Sequence, residues 1–231
     1  MPRFHDADIS IRSVLSEAFA RLRERFSGFV LIYLVIFGPF VVGDYLDAFE
    51  PLGEWGPTAI FSFLAPLADG AVLLLLLRGA EAGIGDALVG GLRYYFRLLA
   101  VRLLRTLGIL AGAMAAVVPG LLLATWFSLS DVVAIEEDTQ DPFRALFRSR
   151  DLVRGHTIPV FAAFAPVVIP FQVGGLLVLY LGGGGTAEAA DWTYPANIFL
   201  DLIALTINAV SLVIYERLEE GELEEEGSDL P

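Results

Sequence analysis

The chain has 231 residues, 56% of them hydrophobic, and a mean hydropathy of +0.66. That is too apolar for a soluble domain of this size, so the medium it is built for is a bilayer. The formal net charge is -13, and the absence of cysteine excludes disulfides, thiolate metal sites and cysteine nucleophiles.

A spanning helix needs about 20 mostly apolar residues, because the hydrocarbon core is roughly 30 Å thick and each residue rises about 1.5 Å. In residues 9–26, Ile11, Val14, Leu15, Ala18, Phe19, Leu22 and Phe26 recur at helical spacing, with Arg12, Glu17, Arg21, Arg23 and Arg25 mostly opposite. This spacing predicts an amphipathic helix in the membrane interface, ending near Ser27-Gly28. Spans over 28–43 and 58–77 follow as a hairpin, the first short enough to need local bilayer thinning. Residues 86–97 repeat the amphipathic pattern. Spans over 98–118 and 121–135 then form a second hairpin through a Pro119-Gly120 turn. Gly108, Gly112, Ala116 and Gly120 recur at intervals of four, a small-residue stripe suited to close helix contact.

A third amphipathic helix is predicted over 142–154, with Asp141 as N-cap and Pro142 at the first helical position, where its missing N–H costs nothing. Spans over 157–181 and 196–215 complete the chain, and Pro159, Pro166 and Pro170 interrupt the first of them. Residues 218–231 read as a disordered acidic cytoplasmic tail. The expected fold is therefore all-α, a polytopic membrane helix bundle of six transmembrane helices and three cytoplasmic interfacial amphipathic helices in one domain over 1–217. Leu15, Leu88 and Leu146 mark equivalent places in three units, each a surface helix followed by a hairpin.

Charge placement tests the parse independently. All fifteen basic residues are arginine, and all fall on one side of these six spans, while the three opposite connections carry none. The positive-inside rule makes that side cytoplasmic, which puts both termini in the cytoplasm and the protein in the cell membrane. The first 26 residues are charged and amphipathic, unlike a secretory signal peptide.

Five charges fall inside predicted spans, of which Asp201 sits nearer the outer face with no basic partner on that side. Asp69 lies about 12 Å from the cytoplasmic end of its helix and Arg105 about 10 Å, while Asp131 and Arg102 lie about 6 Å in. Charges at such depth cost on the order of 2.5 to 3.5 kcal/mol each unless paired or wet. Matched depth predicts intramembrane ion pairs Asp69 with Arg105 and Asp131 with Arg102. Arg93, Arg97, Arg144, Arg148, Arg154 and His156 sit where lipid headgroups would meet them, so anionic lipids are the expected partners, alongside a membrane protein partner or a second copy. The arginine-rich helices alternate with membrane segments, so nucleic acid is not expected. Asn208, Thr206, Ser211 and Gln172 read as interhelical hydrogen-bonding residues. Two distant histidines and no HExxH, GxSxG or Walker-type motif leave no catalytic constellation, and no cofactor or metal is expected.

Pro119-Gly120, the run ending in Ala134-Ile135-Glu136, and then Ala145-Leu146, Ser149, Leu152 and Arg154-Gly155-His156 form a connected pattern. It resembles the signature of a broad prokaryotic family of six-helix integral membrane proteins related to the membrane domain of glycerophosphodiester phosphodiesterases. The resemblance implies topology. Some relatives carry a soluble phosphodiesterase barrel after the membrane part, and this sequence has no room for one after its sixth span. The expectation is a non-enzymatic membrane protein that binds or organises anionic lipids or a membrane partner; the alternative is a small permease or lipid translocator. A polar cavity reaching Asp69 would favour transport, and a dry bundle of paired charges would favour the scaffold.

Overall fold

A computed structural model of the protein describes residues 9–46, 56–79, 83–182 and 205–222, and every regular element among them is helical. The helices are α1 (Ile11–Tyr45), α2 (Gly56–Leu77), α3 (Ile84–Ala115), α4 (Val117–Trp126), α5 (Ser130–Glu136), α6 (Pro142–Arg154), α7 (Thr157–Gly182) and α8 (205–222). Five stretches are long and apolar enough to cross a membrane: Ile11–Gly43, Ile60–Leu77, Ile84–Ala115, Val117–Glu136 and Thr157–Gly174. The first part of the sixth predicted span, 196–204, lies outside the described residues.

The core forms where α8 meets the N-terminal part of α1, the C-terminal part of α2 and the short α5. Ala209, Val210 and Leu212 to Ile214 of α8 are fully buried, as are Ala71 to Leu73 of α2, Val132 to Ala134 of α5 and Val14, Ala18, Phe29 and Ile32 of α1. A helix stretch buried on every side has no polar face to show, and the C-terminal part of α2 accordingly reads as an unbroken leucine run from Leu73 to Leu77. Elsewhere the apolar side chains point outward. Leu34, Val35 and Val42 on α1, Leu103, Leu107 and Leu110 on α3 and Ile169, Val173 and Leu177 on α7 are exposed.

Several expectations are corrected. The first amphipathic helix and first span are one 35-residue helix without a break at Ser27-Gly28. Gly28 is there for contact: a Cβ on it would meet the Leu75 side chain at 2.8 Å. Residues 86–97 are likewise the first half of the continuous α3 rather than a separate surface helix. They pack along α2, where Tyr95 donates a hydrogen bond to the Phe63 carbonyl at 3.0 Å. A Cβ on Gly91 would come within 2.9 Å of the Ala71 nitrogen and the Leu67 oxygen.

The second hairpin turns at Ala116, which is extended (φ -173°, ψ 162°), and not at Pro119-Gly120. Pro119 instead lies in the first turn of α4, where its N–H would have no partner within the helix. Gly112 and Gly120 of the small-residue stripe do bring α3 and α4 together: a Cβ on Gly112 would sit 3.2 Å from the Gly120 backbone. The prolines of α7 do not interrupt it, since the helix runs through Pro166 and Pro170. The acidic end is also more ordered than expected, because α8 continues to residue 222 with Leu218 buried. Residues 223–231 lie outside the described set.

The third amphipathic helix keeps its expected bounds, 142–154, with Asp141 accepting a hydrogen bond from the Phe143 N–H at 2.9 Å. Capping by a residue adjacent in sequence needs no tertiary partner, which is why this boundary was legible.

Candidate functional site

Arg102 and Arg105 are three residues apart on α3, so they project from the same side of the helix about 60° apart. That angle sends them to different neighbours. Arg102 Nη1 donates to Asp69 Oδ2 on α2 at 3.0 Å, and Arg105 Nη1 donates to Asp131 Oδ2 on α5 at 2.7 Å. The four charges are those expected to pair, but the partners are exchanged. Depth counted from the predicted span ends therefore matched each arginine to the wrong carboxylate; rotation about α3 sends Arg102 to α2 and Arg105 to α5.

Asn208 on α8 completes the Asp69 end by donating Nδ2–H to Oδ1 at 3.0 Å. At the other end, Arg105 also lies 3.4 Å from Ser130 Oγ, and Asp131 Oδ1 is buried without a hydrogen-bond partner among the described residues. The four charges line a cavity of about 250 Å³ together with Ser128, Asn208 and Ser211. Phe37 and Phe61, stacked with centroids 4.5 Å apart, form part of its apolar wall.

The cavity lies against an interruption in the fourth predicted span. α4 ends at Trp126 and α5 starts at Ser130, leaving Phe127 to Leu129 as a turn inside an otherwise apolar helix. Open backbone within a membrane is tolerated only where protein or water satisfies it. Here side chains from two other helices do so. Ser149 on α6 accepts from the Leu129 N–H at 3.2 Å and donates to the Trp126 carbonyl at 2.7 Å. Ser211 on α8 donates to the Ile207 carbonyl at 2.8 Å and approaches the Ser128 carbonyl at 3.4 Å. Nothing in the sequence pattern marks this break, because its chain runs on as TWFSLSDVV without glycine or proline.

The six expected headgroup contacts divide. Arg97 is turned inward, donating to the Ala134 carbonyl at 3.0 Å and to Asp138 at 2.8 Å. Asp138 has φ 44°, a left-handed conformation that Asp tolerates better than most residues, and it ends α5. The hydrogen-bonded Arg97 guanidinium holds the Asp138 carboxyl below the usual carboxylate range. Arg148 is held by Glu222 of α8 at 2.7 and 3.2 Å and by Glu137 at 2.9 Å. Hydrogen bonding to Glu222 first, and then to Glu137, outweighs burial and raises the Arg148 pKa. Arg93, Arg144 and Arg154 are exposed. Both ring nitrogens of His156 are shielded and lack partners among the described residues, so a headgroup contact there would require the ring to move.

Part of the acidic end thus has a structural use that its composition did not reveal. Besides Glu222, Glu216 pairs with Arg21 at 2.6 Å, and the adjacent Arg217 reaches back to Glu17 at 2.8 Å and Ser13 at 2.7 Å. Among the described residues no group of three His, Asp or Glu side chains converges closely enough to hold a metal ion.

No family model, curated protein or solved structure matches this chain, so the resemblance carried by Pro119 to His156 gains no support from them.

Proposed function

We propose that the protein is a small permease whose charged cavity binds a polar solute on its way across the membrane. The observation that carries this reading is the juxtaposition of the cavity with the α4–α5 interruption: four ionisable side chains around a space of about 250 Å³, bordered by helical backbone that is not continuous. Discontinuous helices beside buried polar groups are the usual way membrane carriers build a solute site. The formal charges of Asp69, Arg102, Arg105 and Asp131 sum to zero. A solute of net charge would leave an uncompensated ion in a low-dielectric interior, so the fitting class is a neutral polar or zwitterionic molecule. The volume lies below the roughly 300 to 1,000 Å³ of sites for drug-sized ligands, which restricts the solute to a small one. In this reading the chain crosses six times, with its arginine-rich end in the cytoplasm.

The lipid-binding reading is supported by a separate face. Phe143 and Phe147, one turn apart on α6, are exposed among Arg144, Arg150 and Arg154, and Arg150 covers the Phe147 ring at 5.2 Å. An aromatic pair ringed by guanidiniums suits the headgroup boundary.

The permease reading is tested without knowing the solute. Because the chain has no cysteine, Ser128→Cys and Ile207→Cys report only their own positions. Both should react with a membrane-impermeant maleimide from at least one side of oriented vesicles, while Val213→Cys in the core should not. Absence of reaction at both cavity positions from either side would mean a sealed cavity and would end the permease reading.

A further inference from the structure

A second concave feature lies between the end of α2 and the start of α3. Arg78 follows the last residue of α2 and Arg93 lies in the third turn of α3. Both are exposed and form no ion pair among the described residues. They face a surface groove of about 660 Å³, shared with Asp86, Gly90 and Tyr94. The Tyr94 ring is buried beneath Arg93, whose guanidinium carbon lies 5.8 Å from the ring centroid. Arg97 lies over the same ring at 4.9 Å but is committed to Asp138 and the Ala134 carbonyl. Among the described residues the groove therefore sets two guanidiniums that form no ion pair against one carboxylate. Asp86 needs no ligand to explain it, since a carboxylate in the first turn is favourable to the helix.

Beside the groove Val89, Leu92 and Phe96 are 71%, 64% and 80% exposed. They recur at i, i+3 and i+7, and the stripe continues along the same helix as Leu103, Leu107 and Leu110. Among the described residues a net charge of one positive unit therefore adjoins an exposed apolar stripe that joins the apolar outer surface of α3. From this arrangement we infer that the α2–α3 groove binds an anionic phospholipid, with its phosphodiester on Arg78 and Arg93 and its acyl chains along Val89, Leu92 and Phe96. A guanidinium matches two phosphate oxygens at once, and a phosphodiester carries the single negative charge that the groove balances. The inference deepens the lipid-binding reading by giving it a site, and it is independent of the permease reading.

The experiment is native mass spectrometry of the full chain in detergent, titrated with phosphatidylglycerol, phosphatidylcholine or inorganic phosphate. One phosphatidylglycerol should stay bound where phosphatidylcholine and free phosphate do not. Its affinity should fall about tenfold or more in Arg78→Gln/Arg93→Gln, since hydrogen bonds to charged groups are lost. Arg78→Lys/Arg93→Lys, which keeps the charge and loses the fork, should fall between, and it serves if the glutamine variant does not fold. Retention undiminished in both groove variants would overturn the inference, as would equal retention of phosphatidylcholine or retention of phosphate alone. Loss of the lipid from Arg144→Gln/Arg154→Gln but not from the groove variants would move the site to α6, overturning the groove while leaving lipid binding intact. No retained phospholipid in any variant would overturn both.

Discussion

Arg105 on α3 and Asp131 on α5 meet at 2.7 Å, while Arg102, one helical turn earlier, turns to Asp69 on α2 instead. Two adjacent arginines thus tie one long helix to two different neighbours around a single cavity. The geometry makes the pairing specific, so a double-mutant cycle should read it. Asp131→Asn or Arg105→Gln alone should each cost about 3 to 5 kcal/mol by leaving a buried charge unmatched. The double variant should be better tolerated than the sum, with coupling of roughly 0.5 to 3 kcal/mol. Asp69→Asn with Arg105→Gln should show much weaker coupling. Thermal unfolding in detergent checks this, and equal coupling in both combinations would contradict the observed partners.

Ser149 holds the interruption between α4 and α5 through both its donor and its acceptor. Ser149→Ala should cost about 1 to 3 kcal/mol, the cost of an unsatisfied buried polar group, without altering the charge pairs. Hydrogen exchange at the Leu129 amide is the direct readout and should accelerate in the variant.

Gly91 lets α3 pass so close to α2 that an added Cβ would lie 2.9 Å from the Ala71 nitrogen and the Leu67 oxygen. Gly91→Ala should separate the two helices and cost about 1 to 3 kcal/mol. Gly85→Ala, where a Cβ would meet nothing within 4 Å, is the matched control. Similar losses of thermal stability in both would show that the close crossing is not the cause.

The Arg97–Asp138 pair should respond to acid in a predictable direction. Because Asp138 has a lowered pKa in the folded protein, the unfolded chain binds its proton more readily. The stabilisation is therefore fully present above the ordinary value of about 3.9 and is lost as pH falls through the lower folded value. Asp138→Asn keeps a residue that accepts the left-handed backbone and removes the charge. Its stability deficit should be visible at pH 7 and vanish near the acid limit of folding; a deficit unchanged with pH would assign the effect to the turn alone.

Glu222 and Glu216 anchor α8 to Arg148 and Arg21. Glu222→Gln should loosen the last turn of α8, and the partly exposed pair limits the cost to about 1 kcal/mol or less. Limited proteolysis after residue 218 should quicken in that variant, and an unchanged rate would show that burial of Leu218 holds the end unaided.

The sequence by itself determined what depends on near neighbours in the chain. Apolar runs marked six spans, five of which coincide with described stretches long and apolar enough to cross a membrane, and the Asp141-Pro142 cap fixed the start of α6. Distance from helix ends singled out Asp69, Arg102, Arg105 and Asp131 as charges needing partners. What it could not determine was lateral. Rotation about α3 exchanged the ion pairs, contacts with α2 absorbed residues 86–97 into a longer helix, and serines from α6 and α8 permitted a break that no local residue announces. Tertiary structure alone decided these features, because position along a helix axis follows from residue count, while the identity of the neighbour at that level depends on how the helices pack.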